Sequence, residues 1–486
     1  MSAANEAGEL PRGFADALRA ILPDSAIRLG VEACRPYECD GLTAYRQVPP
    51  VVVLPTTESQ VRSVLRLCEH HDVPLVVRGA GTGLSGGALP HATGVLMSLA
   101  RFMKVISIDP EARTAVVQPG VRNVTVSEAA APYGLYYAPD PSSQIACTIG
   151  GNVAENSGGV HCLKYGLTVH NVLRVRALTI DGEVLEIGGL APDVPGLDLL
   201  SLTIGSEGML AAVTEITVKL TPKPPHAQVL LASFDDVGQA ADAVAAIIAA
   251  GVIPAGLEMM DRPAIAAVEP FAKAGYDLSA AAILLCEADG TAEEVADEIA
   301  RVSAVLEKAG ARNLRVSKDE AERLLFWAGR KAAFPAVGRI TPDYLCMDGT
   351  IPRRRLAEML TAIQGMEKKY DLRCANVFHA GDGNLHPLIM FDANDPDSMR
   401  RAEAFGGEIL ELSVALGGTI TGEHGVGIEK LKQMCVQFSP EELAAFERVK
   451  RAFDPPGLLN PGKVVPTPAR CREYRLTGSS REEPAA

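Results

Sequence analysis

The sequence predicts an α+β protein made of two domains in tandem. Its 486 residues are more than one hydrophobic core normally serves. Residues 51–222 carry short apolar runs separated by glycine, a pattern typical of strands. Beyond residue 225 the pattern changes to strand-helix-strand repeats, and two such β-α-β units predict a ferredoxin-like layer of sheet and helices.

Proline marks the boundary between the two domains. Three of the five residues from 221 to 225 are proline, which stops the preceding strand and stiffens a linker. We therefore expect a helical lead-in over residues 1–50, a first domain over 51–222, a second domain over 226–465, and a frayed polar tail over 466–486.

Apolar periodicity predicts the individual elements. In the first domain we expect strands at 51–54, 74–77, 94–99, 115–117, 173–180 and 211–220, with a hairpin turn at Asp181-Gly182. In the second domain we expect strands at 229–234, 256–260, 281–287 and 313–316, and helices at 236–250, 292–308, 395–416 and 440–453.

Charge and composition exclude some classes of function. The formal net charge is −14, which argues against a nucleic-acid partner and means that an anionic substrate needs local cations. The first ten residues contain no apolar run, and no later run suits a membrane span, so we expect a cytoplasmic protein that reaches a membrane only through partner subunits. The ten cysteines form no CxxC pair, and we expect mostly buried, reduced thiols.

A glycine-rich loop, RGAGTGLSGGA over residues 78–88, follows a predicted strand. Residues 81–86 match GxGxxG, but a dinucleotide fingerprint needs a helix to begin at the last glycine. The next residues, LPHATG, are poor helix formers, so we reject that interpretation. The glycines still free backbone N–H groups to surround an anion, and Thr82 and Ser85 add hydroxyl donors. The alternative is a mobile turn.

Two further loops have similar character. PDPSS at 139–143 precedes TIGGNVAENSGG at 148–159, and IGSEGML follows at 204–210. Each alone could be an ordinary loop. Together, within fewer than about 200 residues, they predict a long cofactor held at several points by main chain.

The second domain contains two histidine strings, HAGDGNLH over residues 379–386 and GGTITGEHGVG over residues 417–427. If Asp382-Gly383 forms a turn, His379 and His386 can converge. Two histidines and Glu423 would make a divalent-metal triad. His424 would then be free as a general base, and its ordinary pKa of about 6.5 suits proton removal at neutral pH. The alternative for each histidine is a hydrogen-bonded structural role.

The three glycine-rich strings resemble the FAD-binding domain of the vanillyl-alcohol oxidase superfamily over roughly residues 50–220. In that family the first loop wraps the pyrophosphate and the second contacts the isoalloxazine and ribityl parts. The resemblance implies FAD binding by Arg78, Gly79, Ala80, Gly81, Thr82, Gly83, Leu84, Ser85, Pro139, Ser143, Thr148, Gly150, Gly151, Asn152, Asn156, Ser157, Gly159, Glu207, Gly208 and Asn460. Some members attach flavin through His or Cys. The first loop has no His, and although His161 and Cys162 follow the second loop, we expect non-covalent FAD.

The strings HAGDGNLH and TGEHGVG, with GRKAAFP at 329–335 and FDPPGLLNPGK at 453–463, resemble the substrate domain of FAD-linked D-2-hydroxy-acid dehydrogenases. This family includes flavoprotein subunits of glycolate oxidases and D-lactate dehydrogenases. The resemblance implies a vanillyl-alcohol-oxidase-type fold with a ferredoxin-like substrate (cap) domain. It also implies that His379, His386 and Glu423 bind a divalent metal (Zn, Mn or Fe) and that His424 is the base. Arg330 would hold the substrate carboxylate through a bidentate fork.

The reaction implied is oxidation of a small D-2-hydroxy acid, glycolate or D-lactate, to its 2-oxo acid. Leu388, where some relatives that take dicarboxylates carry a polar residue, favours the smaller substrates. The chain lacks a CxxC cluster for iron–sulfur ligands, so electrons must pass to a separate acceptor: an iron–sulfur partner subunit, an electron-transfer protein or a quinone.

Three other functions remain open at this point. One is a metal-independent flavin enzyme acting on another alcohol. A second is a zinc hydrolase that uses the His/His/Glu set, with glycine loops that are merely structural. The third is a non-catalytic FAD-binding subunit of a redox complex.

Overall fold

The computed structural model describes residues 8–191 and 196–478, and its first half contains three sheets. The strands are β1 Ile27–Leu29, β2 Val51–Val53, β3 Leu75–Arg78, β4 Val95–Ser98, β5 Val105–Asp109, β6 Thr114–Val117, β7 Leu135–Tyr136, β8 Val172–Leu178, β9 Val184–Gly188, β10 Ala212–Lys219 and β11 Thr221–Pro222. The helices are α1 Phe14–Ile21, α2 Val31–Cys34, α3 Glu58–His70, α4 Asn123–Ala130, α5 Ile149–Glu155, α6 Cys162–Tyr165, α7 Thr168–Asn171 and α8 Leu199–Thr203.

The second half is built on one large sheet. Its strands are β12 His226–Phe234, β13 Gly256–Asp261, β14 Ala282–Gly290, β15 Arg312–Val316, β16 Asp343–Cys346, β17 Cys374–Phe378 and β18 Pro387–Phe391. Its helices are α9 Val237–Ala249, α10 Arg262–Ala272, α11 Ala292–Lys308, α12 Glu320–Lys331, α13 Ala333–Val337, α14 Leu356–Tyr370, α15 Pro396–Ala415, α16 Leu431–Gln437, α17 Pro440–Phe453 and α18 Pro468–Gly478.

The sheets differ in strand direction. In the first, ordered β1-β2-β4-β3, strands β2, β4 and β3 are parallel and β1 is antiparallel to β2. The second, ordered β5-β6-β10-β8-β9, is antiparallel, as is the seven-stranded sheet ordered β15-β12-β14-β13-β17-β18-β16. Strand β14 lies inside the large sheet, and all its residues except the last are buried.

Helix α11 shows how sequence sets these elements. Thr291 and Glu294 form a capping box: the Thr291 side chain accepts from the Glu294 N–H, and Glu294 accepts from the Thr291 N–H. Val295, Ile299, Val302 and Leu306 then recur at helical spacing and are buried in the core beneath the large sheet.

Both ends of the chain differ from expectation. The lead-in contributes strand β1, whose Ile27 pairs with Val53 of β2, so it is not only helical. The tail expected to fray forms α18, in which Cys471 is buried and disulfide-bonded to Cys435. This covalent link to α16 fixes a helix that its polar composition does not reveal. Residues 479–486 lie outside the described part.

The other cysteines and the hydropathy of the helices are ordinary for a globular protein. The eight other cysteines are unpaired, and all but Cys39 are buried. Among the helices of the described residues, none combines the length and apolar character that a membrane crossing needs.

The chain returns to its first half near the C-terminus. The Leu75 N–H donates to the Leu458 carbonyl at 2.8 Å, and Leu458 and Leu459 are buried in the core around the first sheet. Residues 458–463 therefore pack against the first half, although the sequence assigned them to the second domain. The domain boundaries stay a prediction.

A buried ionic network also joins the two halves. His161 Nδ1 lies 2.9 Å from Asp140 Oδ2, and its Nε2 lies 3.2 Å from Glu287 Oε1 in strand β14. Arg323 Nη1 donates to the other Glu287 oxygen at 2.8 Å. Burial disfavours the imidazolium of His161, but Asp140 and Glu287 outweigh it and raise its pKa to about 10.

This network predicts a pH-dependent stability. The unfolded pKa of His161 is about 6.5, so its ionic contact contributes fully below about pH 6.5 and is lost as the pH rises toward about 10. We expect His161→Gln to melt about 1–2 °C below wild type at pH 6.5, since a partly screened contact contributes about 1 kcal/mol and the unfolding entropy of a long chain is large. Circular dichroism at several pH values measures this gap, which should close by about pH 10. A gap that is constant across the range would contradict the prediction.

Candidate cofactor cavity and active site

Three glycine-rich loops from separate parts of the first half meet around one cavity of about 490 Å³. They are residues 78–88 after β3, residues 141–155 entering α5, and residues 203–208 after α8. No helix occurs within residues 79–94, which agrees with rejecting a dinucleotide fingerprint.

Side chains from the returning C-terminal segment hold these loops together. Asn460 Nδ2 donates to the Gly87 carbonyl at 3.0 Å and to the Glu207 carbonyl at 2.6 Å. Lys463 Nζ donates to the same Gly87 carbonyl at 2.8 Å. The first and third loops are thus positioned by residues more than two hundred positions away in sequence.

Most of the predicted cofactor residues line the cavity. Those on its wall are Arg78, Gly79, Ala80, Gly81, Thr82, Gly83, Leu84, Ser143, Thr148, Gly150, Gly151, Asn152, Ser157, Glu207 and Gly208. Residues on the wall that the sequence did not single out include Leu99, Pro119, Pro141, Ser142, Cys147, Glu155, Thr203, Ser206, Lys331, Phe334 and Pro335. Several of these lie within the strings quoted from the sequence but were not named as cofactor residues, whereas Leu99, Pro119, Cys147 and Thr203 lie outside those strings.

The other five predicted cofactor residues, Ser85, Pro139, Asn156, Gly159 and Asn460, are not on the wall but support it. The Ser85 carbonyl accepts from the N–H groups of Ile428 and Glu429, and Asn156 Oδ1 accepts from the Val169 N–H. The Pro139 carbonyl accepts from Asn123, and Gly159 lies against Asp140 with φ 148°. His161 and Cys162 do not line the cavity either, and non-covalent FAD stays our expectation.

The cavity wall leaves room for a flat ligand at two glycines. A Cβ at Gly83 would come no nearer than 3.7 Å to another atom, and one at Gly151 no nearer than 3.4 Å. Neither residue has a positive φ, so the surrounding protein does not require glycine there. A side chain at either position would occupy part of the cavity. The two glycines are therefore consistent with a cofactor that approaches the main chain closely.

The histidine strings converge as expected, and His386, Glu423 and His424 lie on the wall of the same cavity, whereas His379 does not. His379 follows β17 and His386 precedes β18, with Gly383 in the left-handed conformation in the turn between them. His386 Nε2 lies 2.8 Å and His379 Nε2 lies 3.2 Å from one oxygen of Glu423. All three side chains are nearly inaccessible to solvent, and the arrangement offers two imidazole nitrogens and one carboxylate.

A second carboxylate orients His379 from behind. Its Nδ1 lies 2.7 Å from Glu258 Oε1, while Arg330 Nε donates to Glu258 Oε2 at 2.8 Å. Such outer partners fix the tautomer of a metal-binding histidine. The sequence missed Glu258, although an acid inside the apolar run of β13 was a usable signal.

Arg330 lies elsewhere than expected for a residue that contacts substrate. It is 1% exposed and off the cavity wall, and its Nη2 lies 2.7 Å from Glu258 at an angle that makes no hydrogen bond. Lys331, the next residue, is on the wall. Leu388 also differs from expectation, since it is fully buried in the core and therefore carries no information about substrate size.

Asp348 positions the loop that carries Glu423 and His424. One of its oxygens accepts from the Gly422 N–H at 3.1 Å, the His424 N–H at 2.8 Å and Lys430 Nζ at 3.2 Å. Ring stacking on His386, with centroids 4.9 Å apart, orients His424 further. Nothing in the sequence pattern marked Asp348 or Lys430.

The pKa values of the adjacent Glu423 and His424 are both lowered, which leaves Glu423 charged and His424 neutral. Burial opposes charge on Glu423, but His379 and His386 hold its pKa well below the usual value. Burial lowers the pKa of His424 to about 4, despite the nearby Asp348. His379 behaves in reverse: Glu258 and Glu423 outweigh burial and raise its pKa well above the usual value.

Metal-ligand geometry is also present around His386. One donor atom each from Asp348, His386, Glu423 and His424 lies within 4.8 Å of the others, and Cys346, His386 and His424 form a similar group. Neither group includes His379, so the expected ligand set of His379, His386 and Glu423 stays a prediction.

Sequence comparison gives the relationship of the chain. Family models match residues 49–188, described as an FAD binding domain, and residues 223–464, described as the C-terminal domain of FAD linked oxidases. Glycolate oxidase subunit GlcD of Escherichia coli (strain K12) is 61% identical over 94% of this chain and 92% of its own length. The chain belongs to the FAD-linked oxidase family. The recognition made from the sequence motifs is thereby confirmed.

Other relatives place the family more broadly. D-lactate dehydrogenase of Anaerostipes hadrus is 32% identical over 90% of this chain and 94% of its own. The fold of p-cresol methylhydroxylase aligns with a TM-score of 0.80 at 18% identity, covering 94% of this chain and 98% of that one. The predicted two-domain α+β fold of the vanillyl-alcohol oxidase type is confirmed.

Family membership also settles the cofactor. The chain is an oxidoreductase whose cofactor is FAD, which its cavity fits. A zinc hydrolase with merely structural glycine loops was therefore the wrong alternative.

Gly151 tests the fit of the cavity to FAD. Gly151→Ala should stabilise helix α5 in the free protein by up to about 1 kcal/mol, yet weaken FAD binding at least about tenfold because the methyl group enters the cavity. Fluorescence titration of the apoprotein with FAD measures the affinity. Gly365→Ala in α14, where a Cβ meets nothing within 4 Å, is the matched control and should leave the affinity unchanged. Equal affinities in all three proteins would contradict the prediction.

Proposed function

We propose that the protein oxidises a small D-2-hydroxy acid, glycolate or D-lactate, to its 2-oxo acid and passes the electrons to a separate acceptor. One observation carries the proposal: His386, Glu423 and His424 lie on the wall of the cavity that the glycine loops form. A substrate there meets a base and an imidazole–carboxylate cluster beside the cofactor. The relatives named as a glycolate oxidase subunit and a D-lactate dehydrogenase support this substrate class.

His379, His386 and Glu423 are the proposed holders of a divalent metal, Zn, Mn or Fe. Support comes from the donor set, two imidazole nitrogens on one carboxylate oxygen, and from the Glu258 partner behind His379. A bound divalent ion would supply Lewis-acid polarisation of the substrate hydroxyl. The fixed tautomer of His379 keeps its Nε2 directed at the cluster.

His424 is the proposed general base. Because burial lowers its pKa to about 4, the ring is neutral at pH 7 and has a lone pair to accept the hydroxyl proton. Its Nδ1 is buried and makes no hydrogen bond within the described residues. FAD supplies the hydride acceptor. The backbone bonds to Asp348 keep the ring in place while it accepts the proton.

Lys331, on the cavity wall, is the proposed contact for the substrate carboxylate. Arg330, the residue expected for this role, lies off the wall, where its Nε donates to Glu258 and its Nη2 lies 2.7 Å from the same carboxylate. The positive charge of Arg330 therefore acts on the site through Glu258 and His379. Together they would attract an anion to a protein of net charge −14.

The acceptor and the location complete the proposal. The relative GlcD is named as a subunit of glycolate oxidase, which supports partner subunits. Because this chain has no CxxC cluster, an iron–sulfur centre for the electrons would belong to such a partner. A cytoplasmic location, with any membrane contact made through those partners, stays a prediction from the sequence.

His424→Ala tests the base. The variant should bind FAD normally and remain yellow, while the rate of flavin bleaching by substrate falls about 10²–10⁴-fold, the usual contribution of a positioned base. Anaerobic stopped-flow with glycolate, D-lactate, L-lactate and D-2-hydroxyglutarate measures the rate and identifies the preferred substrate. Undiminished bleaching in the variant would remove His424 from the mechanism. Bleaching by none of the acids in wild type would favour a non-catalytic FAD subunit.

Metal removal tests the ligand set. Dialysis of the holoenzyme against EDTA should abolish bleaching by substrate without releasing FAD, and added Zn²⁺ or Mn²⁺ should restore it. His386→Gln should lose metal by elemental analysis while keeping the flavin spectrum. Full activity in a protein shown to be metal-free would instead support the metal-independent flavin enzyme.

A further inference from the structure

A cationic patch with exposed apolar side chains lies on the outer side of the FAD cavity wall. Its apolar members are Met103, Ile106 and Ile145, which are 66%, 48% and 71% exposed. Its cations are Arg101, Lys104 and Arg122. Large apolar side chains that remain this exposed together commonly mark an interaction surface.

Hydrogen bonds show that the three chain segments of the patch are adjacent. The Gln118 N–H donates to the Lys104 carbonyl at 2.9 Å, which joins the first segment to the one that contains Arg122. Arg122 in turn reaches the Ile145 carbonyl, with Nη1 at 3.5 Å, and the Val124 N–H donates to the Gln144 carbonyl. The segments that carry the cations and the exposed apolar side chains are therefore adjacent on the protein.

The patch has a sign of charge opposite to that of the whole protein. Residues 101–108, 118–127 and 141–154 contain no Asp or Glu, although the chain carries a net charge of −14. Within residues 8–191 and 196–478, no carboxylate forms an ion pair with any of its three cations. Arg101 instead donates to the Ser25 carbonyl at 2.8 Å. The charges of Lys104 and Arg122 are thus available to a partner.

The same segments form the cavity wall on their inner side. Leu99, Pro119, Ser142 and Ser143 line the cavity, each within a few residues of a patch member. The patch and part of the flavin cavity wall are therefore formed by the same short chain segments.

The strand at the patch favours contact through side chains. β5 is the edge strand of its sheet, but its pairing with β6 shifts between Val105 and Ser107. Such an irregularity at Ile106 opposes the addition of another strand and turns side chains outward.

We propose that this patch is the docking surface for an acidic electron-accepting protein. The proposal rests on the proposed hydroxy-acid oxidation, which delivers two electrons and two protons per substrate. Two one-electron acceptors are then reduced per turnover, and the two protons go to solvent. A second copy of the chain is the poorer partner, because a two-fold axis at the patch would bring like charges together.

Electron transfer to carriers of opposite charge tests the docking surface. The probes are plastocyanin, an acidic copper protein, and cytochrome c, a basic haem protein. The full-length holoenzyme carries Lys104→Glu with Arg122→Glu, and the matched control carries Lys308→Glu with Arg448→Glu, two exposed cations outside the patch. We expect the patch variant to reduce plastocyanin at least about tenfold more slowly at low salt and to lose most of the salt dependence seen in wild type.

Parallel measurements separate docking from the chemistry of the cavity. Reduction of the dye dichlorophenolindophenol, and anaerobic bleaching by substrate, should be unchanged in both variants, while cytochrome c reduction should rise in the patch variant. Ile145→Ser should also slow plastocyanin reduction and leave the dye rate unchanged.

An unchanged plastocyanin rate in the patch variant, or an equal loss in the control variant, would overturn the docking surface. If no hydroxy acid bleaches the flavin of the wild-type protein, the proposed function is overturned instead. A concentration-dependent dimer that Ile145→Ser abolishes, measured by sedimentation, would assign the patch to self-association and overturn the proposal.

Discussion

Two buried carboxylates hold the loop on which the active site depends. Asp348, from the second half, accepts from the N–H groups of Gly422 and His424, and Glu207, from the first half, accepts from those of Val426 and Gly427. A hydrogen bond from an N–H to a charged acceptor stabilises by about 1.5–3 kcal/mol. The loop that carries Glu423 and His424 is thus held from both sides, and its position against the FAD cavity follows from this grip.

The same hydrogen bonds connect the cofactor cavity to the loop that carries Glu423 and His424. Glu207 belongs to a glycine loop on the cavity wall, and its carbonyl also accepts from Asn460 of the returning C-terminal segment. Displacement of the third glycine loop would therefore move His424, the proposed base, and Glu423, the proposed metal ligand, together. This coupling explains why residues distant in sequence, such as Asn460, belong to the cofactor motif although they never reach the cavity wall.

The sequence predicted those features that have local causes. Helices α9, α11, α15 and α17 were expected within a residue or two, because apolar spacing and caps act within a few turns. The glycine loops and the histidine strings were recognisable because their composition has few structural uses. Contacts between distant residues were not predictable: the Arg330–Glu258 pair, the Asp348 acceptor and the burial of Leu388 depend on register within the large sheet. Helix α18 was missed because it is held by a disulfide to α16, and its own sequence is polar.

Adjacent residues Glu423 and His424 acquire opposite roles from their surroundings. Two imidazoles face Glu423 and keep it anionic, as its proposed role of metal ligand would require. His424 lies near Asp348, which alone would favour a protonated ring, but the buried Lys430 forms an ion pair with that carboxylate at 3.2 Å. Burial outweighs Asp348 and lowers the pKa of His424, and the positive charge of Lys430 adds to this effect, so the ring stays neutral. Pairs of groups whose environments separate their pKa values in this way can divide charge stabilisation and proton transfer between them. Lys430 therefore favours the neutral form of His424, the proposed base, through its charge.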